Sequence, residues 1–244
     1  MSRARLQTGE ALFALVQTIP SPVISELAAW SGYDAIILDC EHGMRDEAAH
    51  LACIQALSGT GAAVGVRLPP RDWAGVGRYL DLGVDMVLMA DVSSAREAAE
   101  FVAASHAGPG GTRSASGATR ARKYGLAGAL ETPPLLLALI EGQAGVNAAL
   151  EIAAVPGLGG LVVGPSDLSA DLGRPGDYQH DVYRAAMARV AEAANGRDLI
   201  LGTRPHAGFE VPALLAAGHR FIVTGADLGL LRTGMAAELA GVKP

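Results

Sequence analysis

Two carboxylates in this chain stand out for what precedes them. Glu141 ends the run LLLALIE (135–141), whose other residues are all apolar, and Asp167 lies in the turn Gly164-Pro165-Ser166-Asp167 that follows GGLVVG (159–164). A lone acid closing a buried apolar segment is costly unless it meets a cation or several donors. Two such acids with no cysteine beside them describe a hard-cation site with positions left for water and substrate, suited to Mg2+ or Mn2+ and also to Co2+. The glycine and proline of the turn let the backbone approach a ligand closely, so amides around Gly164, Ser166 and Asp167 can point at an anion. A plainer role for Asp167 is to cap a short helix beginning near Leu168, and Asp171 is read that way.

A second concentration of polar groups, Asp39-Cys40-Glu41-His42-Gly43, ends the run DAIILD (34–39). Carboxylates beside a histidine raise its basicity and fix its tautomer, which would let His42 exchange a proton near neutral pH. The alternative is that Asp39 caps the next helix and His42 is a solvated loop residue. Arg67 ends AAVGVR (62–67) and is followed by Leu68-Pro69-Pro70. A permanently charged fork on stiffened backbone can bind a carboxylate or hold a developing enolate oxygen; equally, it can pair with a rim acid such as Glu41. His50, His106, His180, His206 and His219 have no partner at ligand spacing and read as surface or loop residues. No lysine ends an apolar run, which disfavours Schiff-base chemistry and leaves Lys123 as the one candidate for it. Dinucleotide fingerprints, a Walker loop and a Gly-x-Ser-x-Gly elbow are all missing from strand-to-helix contexts.

Chemistry at the ends of separate runs requires a fold that gathers those ends. Besides the four runs above, ALFALVQ (11–17), VDMVLM (84–89), LILGTR (199–204) and RFIVTG (220–225) make eight, and amphipathic stretches ending near glycine lie between them. Short apolar runs alternating with helical periodicity are the pattern of parallel strands buried on both faces. The sequence therefore predicts one (β/α)8 TIM-barrel domain over residues 1–244, with an open doubly wound sheet as the competing arrangement. Polar residues at the C-terminal ends of several runs favour the barrel, because barrel enzymes build their sites there. The long irregular segment from His106 to about Arg122, rich in Gly, Ser, Thr and Arg, reads as a lid over the site.

Composition narrows the partners. Of 244 residues, 50% are hydrophobic, 18% are charged and 31 are glycine, which suits a large core and excludes a disordered chain. A net charge of −6 argues against nucleic acid as a partner. No segment reaches the roughly 18 apolar residues of a membrane span and no cleavage site follows the N-terminal arginines, so neither a membrane nor export is expected. Cys40 and Cys53 match neither a disulfide framework nor a zinc site, which points to a reducing compartment, the cytoplasm.

Taken together, YDAIILDCEHG, VRLP, the isolated LIE and VGPSDLSADLG resemble the HpcH/HpaI aldolase family, metal-dependent class II aldolases acting on pyruvate and related 2-oxo acids. The resemblance covers nearly the whole chain. It implies a TIM barrel whose last helix is exchanged with a neighbouring subunit, in a homohexamer built from dimers. Position by position, it makes Glu141 and Asp167 the metal ligands, Arg67 the substrate-binding arginine and His42 the acid/base, with the carboxylate of the 2-oxo acid held by amides around Ser166 and Asp167. Asp81 matches an aspartate associated with that histidine. Because Asp81 precedes the fourth run, it belongs at the opposite end of the barrel from its own site and would serve an adjacent subunit.

The implied reaction makes or breaks a 4-hydroxy-2-oxo acid from a 2-oxo acid and an aldehyde through an enolate. Its base is a water acidified by the cation and positioned by His42. Two other readings share the residues: a condensing lyase or synthase using oxaloacetate or an acyl thioester, and a non-catalytic barrel that binds 2-oxo acids. The chain departs from the family at SHAGPGGTRSASG, where relatives carry Tyr-Pro-Pro and Arg-Gly-Val-Gly.

Overall fold

All eight apolar runs form strands in the computed structural model, which describes residues 10–127 and 133–242. They are β1 (Leu12–Gln17), β2 (Ala35–Asp39), β3 (Ala63–Leu68), β4 (Met86–Met89), β5 (Leu135–Ile140), β6 (Gly160–Val163), β7 (Ile200–Thr203) and β8 (His219–Ala226). Each pairs in parallel with the next and β1 pairs with β8, so the sheet closes in chain order and the open-sheet alternative is excluded. The N-terminal MSRAR and Lys243 lie outside the described residues.

Alternation along the strands sends side chains to two separate cores. Leu12, Ala14, Ile37, Leu88, Leu139 and Phe221 belong to a cluster that fills the barrel interior. Leu15, Ile36, Leu38, Val66, Val87 and Ile140 face the other way, into the larger layer beneath the helices. The core of this fold is thus packed on both sides of the sheet, which is why the strands read as continuous apolar runs.

The helices are α1 (Pro22–Trp30), α2 (Glu47–Leu57), α3 (Trp73–Leu82), α4 (Ala95–Ser105), α5 (Gln143–Asn147), α6 (Ala149–Ala153), α7 (Pro165–Asp171), α8 (Asp181–Asn195), α9 (Val211–Ala216) and α10 (Asp227–Val242). Side chains of Asp46, Asp72 and Ser94 accept first-turn amides and so fix where α2, α3 and α4 begin. Asp39 is no cap; Asp46 takes that role. Histidines 50 and 219 are buried rather than superficial, His50 because it lies on the core face of α2, where its Nδ1 meets the Tyr79 hydroxyl at 2.6 Å.

The segment after α4 corrects another expectation. It is no lid over this chain's own site, because it connects a helix to the following strand, and such connections lie at the N-terminal face of a barrel. Arg113 bonds to Asp81 near the end of α3, Arg120 donates to the Leu82 carbonyl at 2.8 Å and to Ser58 at 2.9 Å, and a short 3-10 helix spans Arg120–Gly125. Lys123 lines a cavity there with Gly83 and Asp85, at the opposite end from the cluster of acids. Asp81 lies at that face too, as its place in the chain predicts.

The last helix is different from the others. Asp227 is buried and accepts the amides of Thr18 and Ile19 at 2.9 Å each, pinning the start of α10 to the end of β1. Its first turns still border the body, where Leu230 and Leu231 share a cavity with Leu15, Ile24 and Leu27, while Met235, Leu239 and Val242 farther along are exposed.

Candidate active site

The polar ends of the strands converge on one cavity of about 180 Å³, lined by Arg67, Glu141, Gly164, Ser166, Asp167 and Arg204 above an apolar floor that includes Ile37, Leu88 and Leu139. Each polar member stands at or just beyond a strand's C-terminal end: Arg67 within β3, Glu141 after β5, Gly164 after β6 and Arg204 after β7. That volume suits a small acid rather than a drug-sized ligand, which needs ~300 Å³ or more.

Arg67 and Asp39 are directly opposed in the register of β2 and β3. They form a two-pronged pair, Nε to Oδ1 at 3.0 Å and Nη2 to Oδ2 at 2.7 Å, and Asp39 is only 2% exposed. The same Oδ1 accepts the amides of Glu41 (3.1 Å) and His42 (3.3 Å), so Asp39 orients both the arginine and the loop after β2. Arg67 Nη1 lies 3.3 Å from Glu41 Oε2, hence the rim-acid pairing is present alongside a stronger one to Asp39. Among the described residues Glu41 Oε2 is buried without a hydrogen bond, and burial pushes this carboxyl above its usual range despite Arg67.

Glu141 is 9% exposed and accepts the Asp91 amide at 2.9 Å. Asp91 holds a left-handed backbone (φ 46), an uncommon conformation for a non-glycine residue that aims its amide at Glu141. Desolvation, with Glu41 and Asp167 nearby, pushes the Glu141 carboxyl up to about 7. Its Oε1 occupies space that a side chain on Gly164 would take, since a Cβ there would lie 2.4 Å away. Asp167 is in the first turn of α7, whose cap is Gly164 without a side-chain bond; it is no N-cap itself. Nor is Asp171, which ends α7 and donates its capping instead to α5, where Oδ2 accepts the Gln143 amide at 2.7 Å.

Among the described residues no group of three or more His, Cys, Asp and Glu side chains is preassembled at ligand spacing. The donor set still fits a hard cation: two cavity carboxylates, one buried and reluctant to ionise alone, with the Glu41 carboxylate near enough to raise it further. His42 is outside the cavity lining, with a 67% exposed side chain whose Nε2 lies 3.9 Å from Glu41 Oε2. Arg204 and the Asp91 amide are the site members that sequence reasoning missed. The signal for Arg204 was present, because it ends LILGTR as Arg67 ends AAVGVR.

The geometry has close counterparts among known proteins. The model of the HpcH/HpaI aldolase/citrate lyase family matches residues 16–233. A 5-keto-4-deoxy-D-glucarate aldolase from Enterobacter sp. (strain 638) is 30% identical over 235 residues, covering 95% of this chain and 92% of that protein. Among solved structures, a family protein from Burkholderia cenocepacia J2315 superposes with a TM-score of 0.90 at 28% identity, covering 99% of this chain and 98% of that one. The citrate synthase SbnG superposes with a TM-score of 0.86 at 26% identity, covering 98% and 96%.

Proposed function

The chain belongs to the HpcH/HpaI aldolase/citrate lyase family and is a metal-dependent carbon–carbon lyase, and from that premise we propose that it cleaves or forms 4-hydroxy-2-oxo acids, with pyruvate as the enolate-forming half. The observation that carries this reading is the buried Glu141 carboxylate, held beside Asp167 and Glu41 at the mouth of an apolar barrel.

Glu141 and Asp167 would hold a divalent cation, Mg2+, Mn2+ or Co2+, and that cation would supply Lewis-acid stabilisation of the developing enolate oxygen. Unpaired first-turn amides at Ser166 and Asp167 bind the carboxylate of the 2-oxo acid. Arg67, locked in orientation by Asp39, donates to the same enolate oxygen without having to reorganise as charge develops. The base that takes the proton from the 4-hydroxyl oxygen, and returns it in the synthetic direction, is organised by His42, whose exposed ring turns inward when substrate and a neighbouring subunit cover the loop. In that arrangement Asp81 of an adjacent chain accompanies His42.

Assembly as a homohexamer with exchange of α10 is part of the same proposal. Its support is the exposed apolar surface of α10 together with Val23, Leu27 and Trp30 on α1, more than a lone protomer ordinarily leaves in water. No helix among the described residues is long and apolar enough to cross a membrane. Free, buried Cys40 and Cys53 agree with a cytoplasmic location.

The likeness to a citrate synthase favours a second reading, condensation on oxaloacetate by the same enolate chemistry. The non-catalytic reading loses its motive, because the altered 106–122 segment does not border this chain's own cavity. The deciding experiment measures pyruvate release from a panel of 4-hydroxy-2-oxo acids, with and without each metal and with excess chelator. Metal-dependent release is expected; full activity under chelation, or products from oxaloacetate condensation alone, would displace the aldolase reading.

A further inference from the structure

Among the outer helices, the six-residue α9 is far shorter than the fifteen-residue α8 beside it, and the mismatch opens a groove between the two. Arg184, Met187, Ala188 and Ala191 recur at the spacing of one helical face and form one wall. Phe209, Ala213 and Leu214 form the other. The space between them is about 360 Å³, within the range of small-molecule sites. Among the described residues, none lines both this groove and the catalytic cavity.

His219, the first residue of β8, also lines the groove. It pairs in register with Leu201, which belongs to the layer beneath the helices, and the register then shifts before Phe221, which turns into the barrel interior. His219 is thereby sent outwards under α9, where it is 3% exposed. Its Nδ1 meets the Leu214 carbonyl at 3.1 Å. A carbonyl can only accept, so Nδ1 carries the hydrogen and Nε2 keeps a lone pair. Burial pushes the ring down to about 4, which holds it in this neutral form at ordinary pH. Among the described residues, the buried Nε2 has no hydrogen-bond partner.

A buried acceptor calls for a donor. A lone water meets that need only where about two to four polar groups hold it. Apart from Arg184, whose guanidinium donates to Gln179 at 3.0 Å, the other side chains around the groove are apolar. An apolar molecule with one donor satisfies both the nitrogen and its surroundings. The alanines on both walls leave room for a ring, and Phe209 offers it an aromatic face. We propose that the groove between α8 and α9 is a binding site for a compound of one or two rings that carries a single hydroxyl or ring N–H, whose hydrogen His219 Nε2 accepts. The site is separate from the lyase chemistry and does not depend on that reading.

The test is calorimetric titration of the full-length protein with two matched pairs of probes, phenol against anisole and indole against 1-methylindole. In each pair a methyl group replaces the donated hydrogen and the ring is unchanged. Phenol and indole should each bind about 10-fold tighter than their capped partners. His219→Phe keeps a ring in place and removes the acceptor, so the preference should vanish. Ala188→Phe, at an exposed position that folding tolerates, fills the groove from α8 without touching His219, and should abolish binding of all four probes. Should His219→Phe fail to fold, the wild-type preference and the Ala188→Phe loss decide the matter together. No binding of phenol or indole at millimolar concentration, equal binding of the capped compounds, or binding that survives Ala188→Phe overturns the assignment.

Discussion

Replacing Glu141 by Gln removes a charge and almost nothing else, because the amide oxygen can still accept from Asp91. In the folded chain without metal, burial raises this carboxyl from 4.5 to about 7. The folded state therefore holds that proton more tightly than the unfolded state. The contribution to stability is present in full below pH 4.5 and is lost as pH rises through about 7. A rise of that size corresponds to roughly 3 kcal/mol at ~1.4 kcal/mol per tenfold. Chelated wild-type protein should thus lose up to ~3 kcal/mol between pH 4.5 and 8 through this residue alone, and Glu141→Gln should be spared it. At pH 8 the inactive variant is expected to be the more stable of the two.

Urea midpoints at pH 5, 6.5 and 8, in excess chelator and at equal protomer concentration, measure the difference directly. Saturating Mg2+ or Mn2+ should then stabilise wild type by mass action and leave the variant unmoved. Equal pH dependence in the two proteins, or a variant less stable than chelated wild type at pH 8, would refute the claim that this carboxylate is kept at a cost to receive a cation.

Four other substitutions probe the rest of the site. Arg67→Lys should depress kcat by about 10²-fold and slow exchange of the pyruvate methyl protons in deuterium oxide to a similar degree; undiminished exchange would make Arg67 an electrophile contact. Lysine is preferred to alanine here because truncation would strand the buried Asp39 charge and cost ~3–5 kcal/mol in folding. Mixed oligomers of Asp81→Asn and His42→Ala chains should regain part of the activity that each lacks alone, and no recovery after verified subunit exchange would remove Asp81 from the neighbouring site. Gly164→Ala should weaken metal affinity at least 10-fold by displacing Glu141 Oε1, read by metal titration; unchanged affinity would show that the carboxylate has room to move.

The barrel was legible because its strands are buried on both sides, which turns them into apolar runs with sharp polar ends. Glu141 and Arg67 were legible for the same reason, each interrupting an apolar pattern at a strand end, and Asp167 because a Gly-Pro turn marks the end of β6 just before it. What stayed hidden was pairing between strands. Nothing local in DAIILD says that Asp39 will face Arg67 rather than cap a helix, because their opposition depends on the register of β2 against β3. Asp171 was misread similarly, since the amide it accepts is 28 residues away. The mistaken lid over residues 106–122 came from judging a loop by composition. Its position between a helix and the next strand already assigned it to the far face, by the argument that located Asp81. Arg204 was passed over because it sits in a run whose other residues suggested only a strand.

The bond between Asp227 and the amides of Thr18 and Ile19 joins residues 209 and 208 positions apart. It can form only after β8 has come back to β1, because both partners flank that last seam of the barrel. Closing so long a loop costs more chain entropy than any pairing of strands adjacent in sequence. The direction in which α10 leaves the body is therefore undefined in every earlier intermediate and becomes fixed in the step that completes the sheet. A ribosome-bound or half-folded chain cannot present this helix correctly to another molecule. Oligomerisation through it would recruit finished barrels only, a quality check that uses no machinery beyond the order in which the chain folds.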